Sequence, residues 1–169
     1  TIQLALTAAE TGHLVMGTLH TNSAPKTIDR IIDVFSADDK EMVRAMLSVS
    51  LEAVITQALL KRKDGGRVAT HEIMLGTPAV RNLIREGKVP QLYSLIQIGS
   101  KIGMRTMKDS IMELLNQGVI TEQVARSMLA TSSTDEEEDA VKADPNAANV
   151  AGAHSNPNKR VVKPAHNGF

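Results

Sequence analysis

The sequence lacks several features that define common classes of protein. It contains no cysteine and no tryptophan, and its only phenylalanine and tyrosine residues are Phe35, Tyr93 and Phe169. Without cysteine the chain can form neither disulfides nor thiolate zinc sites, which fits a reducing compartment. The core must therefore be built from aliphatic side chains and from the eight methionines.

Net charge and long apolar runs are lacking as well. The 19 basic and 19 acidic residues cancel, so no overall charge attracts nucleic acid or an anionic membrane. No apolar run approaches the roughly 20 residues that cross a bilayer, and no signal peptide is visible. We therefore expect no nucleic-acid partner and no direct membrane insertion. The chain opens at Thr1 directly into a helical pattern, and we expect it to be a fragment.

The composition changes near residue 131. The stretch 131–169 contains no Leu, Ile or Met and is rich in Ala, Asn, Pro and Ser. Such a stretch cannot bury enough apolar surface to offset the entropy lost on ordering. It predicts a disordered tail, 131–169, after a folded body.

Apolar spacing in the body predicts alternating helices and strands. Helical spacing over 2–9 ends at Gly12, as at a helix C-terminus. The continuous apolar run 14–19 is typical of a strand buried on both faces of a parallel sheet. A short helix over 27–35 follows, and then a long helix whose apolar stripe runs over 42–55.

A hairpin and four helical segments complete the body. The tripeptide Asp64-Gly65-Gly66 separates two apolar segments, 58–61 and 67–75, and Gly supplies the positive φ of a tight turn. The four helical segments are predicted to begin at Thr77, Pro90, Thr106 and Thr121. This order predicts one edge of an α/β sheet followed by an all-helical appendage.

No phosphate-binding loop is present in the sequence. Such a loop needs Gly, four residues, then Gly-Lys-Ser/Thr, so that backbone N–H groups surround the phosphate. The only Gly-Lys pair is Gly87-Lys88, with Asn82 at the position of the first Gly and Val89 at that of the hydroxyl residue. A Gly-x-Ser-x-Gly nucleophile elbow and a helical histidine pair for zinc are missing too, so no metal site is predicted.

Two histidines lie at opposite ends of the predicted strand. His20 follows its C-terminal end, where open α/β sheets bind ligands, and Thr18 shares its face. The hydroxyl-rich surroundings favour a phosphate-facing site, so Thr18 and His20 are candidate cofactor-binding residues. A histidine bordering a strand is more often a polar end-group bonded to a neighbouring loop, and we prefer that interpretation for His13.

Three stretches resemble motifs of a known family. Thr7-Ala-Ala-Glu-Thr-Gly-His-Leu-Val-Met-Gly-Thr-Leu-His-Thr-Asn-Ser-Ala24 resembles the His box of secretion and pilus ATPases. Ala79-Val-Arg-Asn-Leu-Ile-Arg-Glu86 resembles the Ala-Ile-Arg-Asn-Leu-Ile-Arg-Glu motif of PilT-type retraction motors, with Val80 in place of Ile. His71-Glu-Ile-Met-Leu-Gly-Thr-Pro78 fits directly before it, and the resemblance extends to about residue 125.

The resemblance implies the C-terminal part of a RecA-like ATPase domain followed by a helical bundle. Residues 1–76 would then be the end of the RecA-like core, a sheet edge plus a β-hairpin, and 77–130 the bundle. It also implies a cytoplasmic homo-hexamer, peripheral to the inner membrane at the pilus base, that acts with the pilus platform machinery. Such motors hydrolyse ATP to drive type IV pilus retraction and twitching motility.

The same resemblance implies where the nucleotide is held. Walker A and Walker B would lie upstream of Thr1, so ATP and Mg²⁺ would be bound mainly there. The chain alone is then expected to be inactive as an enzyme. Within the His box, His13 and His20, it implies that His20 is catalytic and senses the γ-phosphate, with Thr18 beside it.

The retraction motif supplies a second set of expected functional residues, namely Arg81, Asn82, Arg85 and Glu86. Arg81 and Arg85 are four residues apart, so they lie side by side on a helix. Guanidinium groups are suited to binding carboxylates or backbone carbonyls on another surface. An ordinary exposed helix would also tolerate two arginines, so the spacing alone leaves both interpretations open. The family resemblance implies that the motif couples hydrolysis to movement, through a neighbouring subunit or the pilus machinery.

Three alternatives remain open. A pilus-assembly or type II secretion ATPase usually carries a four-cysteine zinc motif beside this hairpin, and the chain has no cysteine. A PilU-type paralogue is disfavoured by the motif at 79–86. A non-catalytic interaction domain derived from such a motor would lack an upstream reading frame encoding a Gly-rich Lys-Ser/Thr loop.

The composition of the tail leads to a test. Truncation after Ala130 should shift the thermal midpoint by no more than about 2 °C, because a segment without core-forming side chains adds no packing. Circular dichroism melting of the truncated and untruncated chains checks this. A large drop in the midpoint would show that the tail packs on the body.

Overall fold

An antiparallel β-hairpin connects the helices of this protein, whose residues 1–130 are described by a computed structural model. Strand β1 (Ala53–Lys61) pairs with β2 (Arg67–Leu75), and the register runs from Ala53 opposite Leu75 to Lys61 opposite Arg67. Within the described residues the sheet has two strands, so no strand pairs with the outer edge of β1. The expected hairpin is confirmed, and it is longer than the sequence predicted. The predicted tail, 131–169, lies outside the described residues.

Seven helical segments surround the hairpin within the described residues. Two short 3₁₀ turns, Val89–Gln91 and Gly99–Ile102, flank the fifth of them. The segments are α1 (Ile2–Glu10), α2 (Ala24–Ile32), α3 (Lys40–Ser50), α4 (Pro78–Arg85), α5 (Leu92–Ile98), α6 (Met107–Asn116) and α7 (122–130).

Hydroxyl side chains begin three of these helices, as the sequence predicted. The Thr77 hydroxyl accepts a hydrogen bond from the Val80 amide at 3.4 Å, and the Thr106 hydroxyl accepts one from the Asp109 amide at 3.0 Å. Thr121 does the same for α7. Each bond satisfies an N–H group that has no partner inside the helix.

The buried side chains form two clusters. The larger contains aliphatic residues and methionines from Leu6 to Met104, drawn from α1 to α5 and from the hairpin. The smaller joins Leu60 of β1 to Met107 and Ile111 of α6 and to the region of α7. Members of the larger cluster lie on both sides of residue 76, so the division into 1–76 and 77–130 stays a prediction.

The predicted strand over 14–19 is wrong. This segment has no regular secondary structure, and the Leu14 and Met16 side chains are 79% and 86% exposed. A strand needs a neighbour that bonds its backbone N–H and C=O groups. Among residues 1–130 no strand lies beside it, since the sheet contains β1 and β2 alone.

Two predicted helix boundaries need correction. The long helix was expected to reach Ile55, but α3 ends at Ser50 and Leu51 is extended, with φ −67° and ψ 121°. The β-branched run Val54-Ile55-Thr56 enters β1 instead, because such side chains pack well on a pleated surface. The short helix begins three residues earlier than expected, at Ala24, since Ser23 caps it.

Gly76 lies where the start of β1 and the end of β2 meet. Its amide donates to the Glu52 carbonyl at 2.7 Å, and a Cβ added at Gly76 would lie 2.1 Å from the Leu51 carbonyl oxygen. Because both colliding groups are backbone, no side-chain rotation relieves the clash. Only glycine allows this close approach.

Replacing Gly76 by Ala should therefore destabilise the chain by about 2–3 kcal/mol, as for an overpacked site. Gly17→Ala is the matched control, because no heavy atom lies within 4 Å of its added Cβ. The free energy of unfolding in urea should change by less than about 0.5 kcal/mol for the control. Equal effects of the two substitutions would contradict the close approach.

Candidate functional site

The candidate phosphate-facing residues lie on the irregular segment before α2. Thr18 and His20 are exposed, and no hydrogen bond joins the His20 side chain to another of the described residues. The loop that follows is ordered by Thr21, whose hydroxyl lies 2.7 Å from that of Thr27. His20 is thus a free imidazole beside an anchored helix start.

His13 lies apart from this pair, at the end of α1. Its backbone amide donates to the Ala8 carbonyl at 3.1 Å, and its Nδ1 lies 3.1 Å from the Thr11 hydroxyl. Since that hydroxyl itself donates to the Ala8 carbonyl at 2.8 Å, Nδ1 is the donor to Thr11. These contacts match those of a polar end-group bonded to the preceding turn.

Arg81 of the second predicted set binds the C-terminal end of α3. Its Nε donates to the Gly76 carbonyl at 2.6 Å, its Nη1 donates to the carbonyls of Ser48 and Val49, and its Nη2 pairs with Glu52 at 2.9 Å. The last carbonyls of a helix have no partner inside it and carry partial negative charge. The guanidinium therefore satisfies them and joins α4 to the end of α3 and to the two residues that flank the open end of the hairpin, Glu52 and Gly76.

Arg85 lies one helical turn further along α4 and reaches the same end of α3. Its Nε lies 3.3 Å from the Ser48 hydroxyl, and the side chain is otherwise exposed. The predicted side-by-side arrangement of Arg81 and Arg85 is present. The backbone carbonyls that Arg81 binds belong to its own chain, whereas the sequence suggested another surface.

Asn82 of α4 and Glu86, the residue that follows the helix, form a separate exposed pair. The Asn82 amide donates to one carboxylate oxygen of Glu86 at 2.9 Å, and Lys88 lies 2.8 Å from the other. The hydrogen bonds from Lys88 and then Asn82, with the Lys88 charge, hold the pKa of the Glu86 carboxyl below its ordinary value. Since a lowered pKa favours the charged form, this pairing is lost only as pH falls through that pKa.

Sequence reasoning missed Glu72, a carboxylate on β2 that is 2% exposed. Its Oε1 accepts from the Ala24 amide at 2.7 Å, and its Oε2 accepts from the Met107 amide at 3.4 Å. One signal could have found it: strand alternation places Glu72 on the same face as the buried Thr70 and Met74. A carboxylate at a buried position needs donors, and here two helix starts provide them.

The predicted site residues thus lie in two separate groups. Thr18 and His20 share the segment before α2, while the retraction-motif residues lie on α4, against α3. No hydrogen bond connects the two groups within residues 1–130.

The described part of the chain has no phosphate loop and no group of three His, Asp or Glu residues that could hold a metal ion. None of the described helices has the length and apolarity needed to cross a membrane.

Comparison with known proteins decides the family. The model of the family "Type II/IV secretion system protein" matches residues 1–65. The chain is 63% identical over 126 residues to the type IV pilus retraction ATPase PilT of Pseudomonas aeruginosa, covering 75% of this chain and 37% of that protein. It is also 63% identical over 127 residues to the twitching motility protein of Neisseria gonorrhoeae, covering 75% and 34%.

A solved structure of the pilus retraction motor PilT with bound ADP matches with a TM-score of 0.66. The identity is 48%, and the match covers 73% of this chain and 34% of that one. The chain belongs to the PilT-type group of secretion ATPases. The expected fold class, part of an α/β ATPase domain, is thereby confirmed. This PilT-type chain spans about a third of the length of the relatives it matches.

The contacts of Arg81 lead to a test of stability. Arg81→Lys keeps the charge but loses the fork that reaches several carbonyls, so it should destabilise the chain by about 1–2 kcal/mol. The free energy of unfolding in urea measures this. Arg126→Lys is the control, because that side chain is 77% exposed in an i,i+4 pair with Glu122 and should cost less than about 0.5 kcal/mol. Equal losses would show that Arg81 does not hold α3.

Proposed function

We propose that this chain is the C-terminal part of the motor domain of a hexameric ATPase that retracts type IV pili. The observation that carries the proposal is the motif 79–86, which lies on α4 and its C-cap in a chain 63% identical over 126 residues to a retraction ATPase. The motor works on the cytoplasmic side of the inner membrane at the pilus base. Its homo-hexamer acts there with the pilus platform machinery and drives twitching motility.

In this proposal ATP and Mg²⁺ are bound mainly by residues outside this chain, and the chain alone is inactive. Thr18 and His20 supply this chain's contribution to the nucleotide site. Both are exposed and available. His20 senses the γ-phosphate or the attacking water by a hydrogen bond, and such a contact acts on turnover more than on ATP affinity.

The retraction motif couples hydrolysis to movement. Arg81 and Arg85 hold α4 against the end of α3, so the two helices move together. Asn82 and Glu86 remain exposed on α4. They are the part of the motif that can contact a neighbouring subunit or the platform.

A chimeric motor tests this function. The matching part of the Pseudomonas aeruginosa retraction ATPase is replaced by this sequence, in a strain that lacks its own copy. Twitching on agar should be restored, because the proposal assigns this chain the same role. A chimera that hydrolyses ATP normally and does not restore retraction would favour a pilus-assembly or secretion ATPase. A chimera that assembles but lacks hydrolysis would favour a non-catalytic domain.

His20 provides the sharper test in the same chimera. His20→Ala should lower kcat at least about tenfold with a KM for ATP changed less than about threefold, since the contact is made in the transition state. Steady-state phosphate release measures both constants. His13→Ala is the matched control and should leave kcat unchanged while lowering the thermal midpoint. An unchanged kcat in His20→Ala would refute the sensor role.

A further inference from the structure

The buried carboxylate of Glu72 lies between three elements of the fold. It is carried by β2, and both of its oxygens accept backbone hydrogen bonds, at 2.7 Å from Ala24 and 3.4 Å from Met107. Ala24 and Met107 are the first residues of α2 and α6. One side chain therefore joins two helices whose first residues are far apart in the sequence.

The position of these amides explains why a carboxylate suits them. The first N–H groups of a helix have no partner inside it, and the helix dipole makes this end positive. The caps satisfy other amides: the Ser23 hydroxyl accepts from Lys26, and the Thr106 hydroxyl accepts from Asp109. Glu72 accepts from the first residue of each helix, whose amide the cap does not bind.

The same contact also holds the segment 20–23 before α2, the His20 loop. Ala24 lies four residues after His20, and the intervening segment is attached to the first turn of α2. The Thr21 hydroxyl bonds that of Thr27, and the Thr27 hydroxyl donates to the Ser23 carbonyl at 2.8 Å. The backbone after His20 is thus held on α2, and α2 is held by Glu72.

We propose that Glu72 is a positioning residue that fixes the His20 loop relative to β2 and α6. It does not touch the nucleotide; it acts through His20 and makes the loop and the C-terminal helices move as one unit. This role rests on the function proposed above for His20. A purely structural cap would stabilise the fold without any specific connection to His20.

The substitution Glu72→Gln separates these two roles in the intact motor. The amide keeps one acceptor oxygen, which takes the shorter bond to Ala24, and it places an NH₂ group against the Met107 N–H. The connection to α6 is then lost while the shape is kept. Glu122→Gln is the matched control, because it removes the same charge from an exposed i,i+4 pair.

Hydrogen exchange measured by mass spectrometry gives the first readout. Amide exchange at the start of α6 should rise at least about tenfold in Glu72→Gln, as expected when a charge-assisted bond is removed. The start of α2 should change less, and Glu122→Gln should change neither. Unchanged exchange at α6 would overturn the proposal.

Turnover gives the second readout. Glu72→Gln should lower kcat about tenfold with KM for ATP nearly constant, and adding it to His20→Ala should cause no further loss, because both act at one step. The positioning role would be overturned if the two losses of kcat multiplied in the double variant, or if Glu72→Gln left kcat unchanged. An unchanged kcat in His20→Ala alone would instead refute the sensor role proposed above.

A second variant keeps the test decisive if Glu72→Gln fails to fold. Glu72→Asp keeps the charge and is one methylene shorter, so it can reach only one of the two helix starts. It should raise exchange at one helix start and lower kcat in the same non-additive way with His20→Ala. Wild-type exchange and wild-type turnover in this variant would show that the bridge between the helix starts does not position the His20 loop.

Discussion

A carboxylate buried in an apolar interior must find hydrogen-bond donors, and this constraint organises the centre of the molecule. Desolvating a charge is costly unless donors replace the lost water. Glu72 finds them at the starts of α2 and α6, which therefore meet over β2. The smaller apolar cluster fills the space between the hairpin and α6. The carboxylate ties the two helix starts to β2, and apolar packing fixes how the helices lie.

A guanidinium satisfies the unpaired backbone carbonyls at the C-terminal end of a helix. Where Glu72 supplies negative charge to helix starts, Arg81 supplies positive charge and several donors to the last carbonyls of α3. Both residues satisfy backbone groups that a helix leaves unpaired at its ends. An arginine of the retraction motif is thus part of the framework, so its loss alters folding and any coupling together.

The sequence predicted those features that depend on neighbouring residues. The threonine caps, the Asp64-Gly65-Gly66 turn and the side-by-side placement of Arg81 and Arg85 on α4 all follow from local chemistry, and the structure has each of them. Contacts between distant segments could not be predicted. The bond from Ala24 to Glu72 spans 48 positions, and that from Arg81 to Ser48 spans 33. The segment 14–19 was misassigned because an apolar run indicates burial without showing which strand would pair with it.

The exposed segment 14–19 has a practical consequence for the isolated chain. Its backbone groups are not paired in a sheet, Leu14 and Met16 face solvent, and the outer edge of β1 has no neighbouring strand among residues 1–130. An exposed apolar stretch and an open strand edge are each templates for pairing between molecules. Purified at high concentration, the chain would self-associate through this stretch and through the outer edge of β1. Dilute solution, or a fused partner that covers β1, would keep it monomeric.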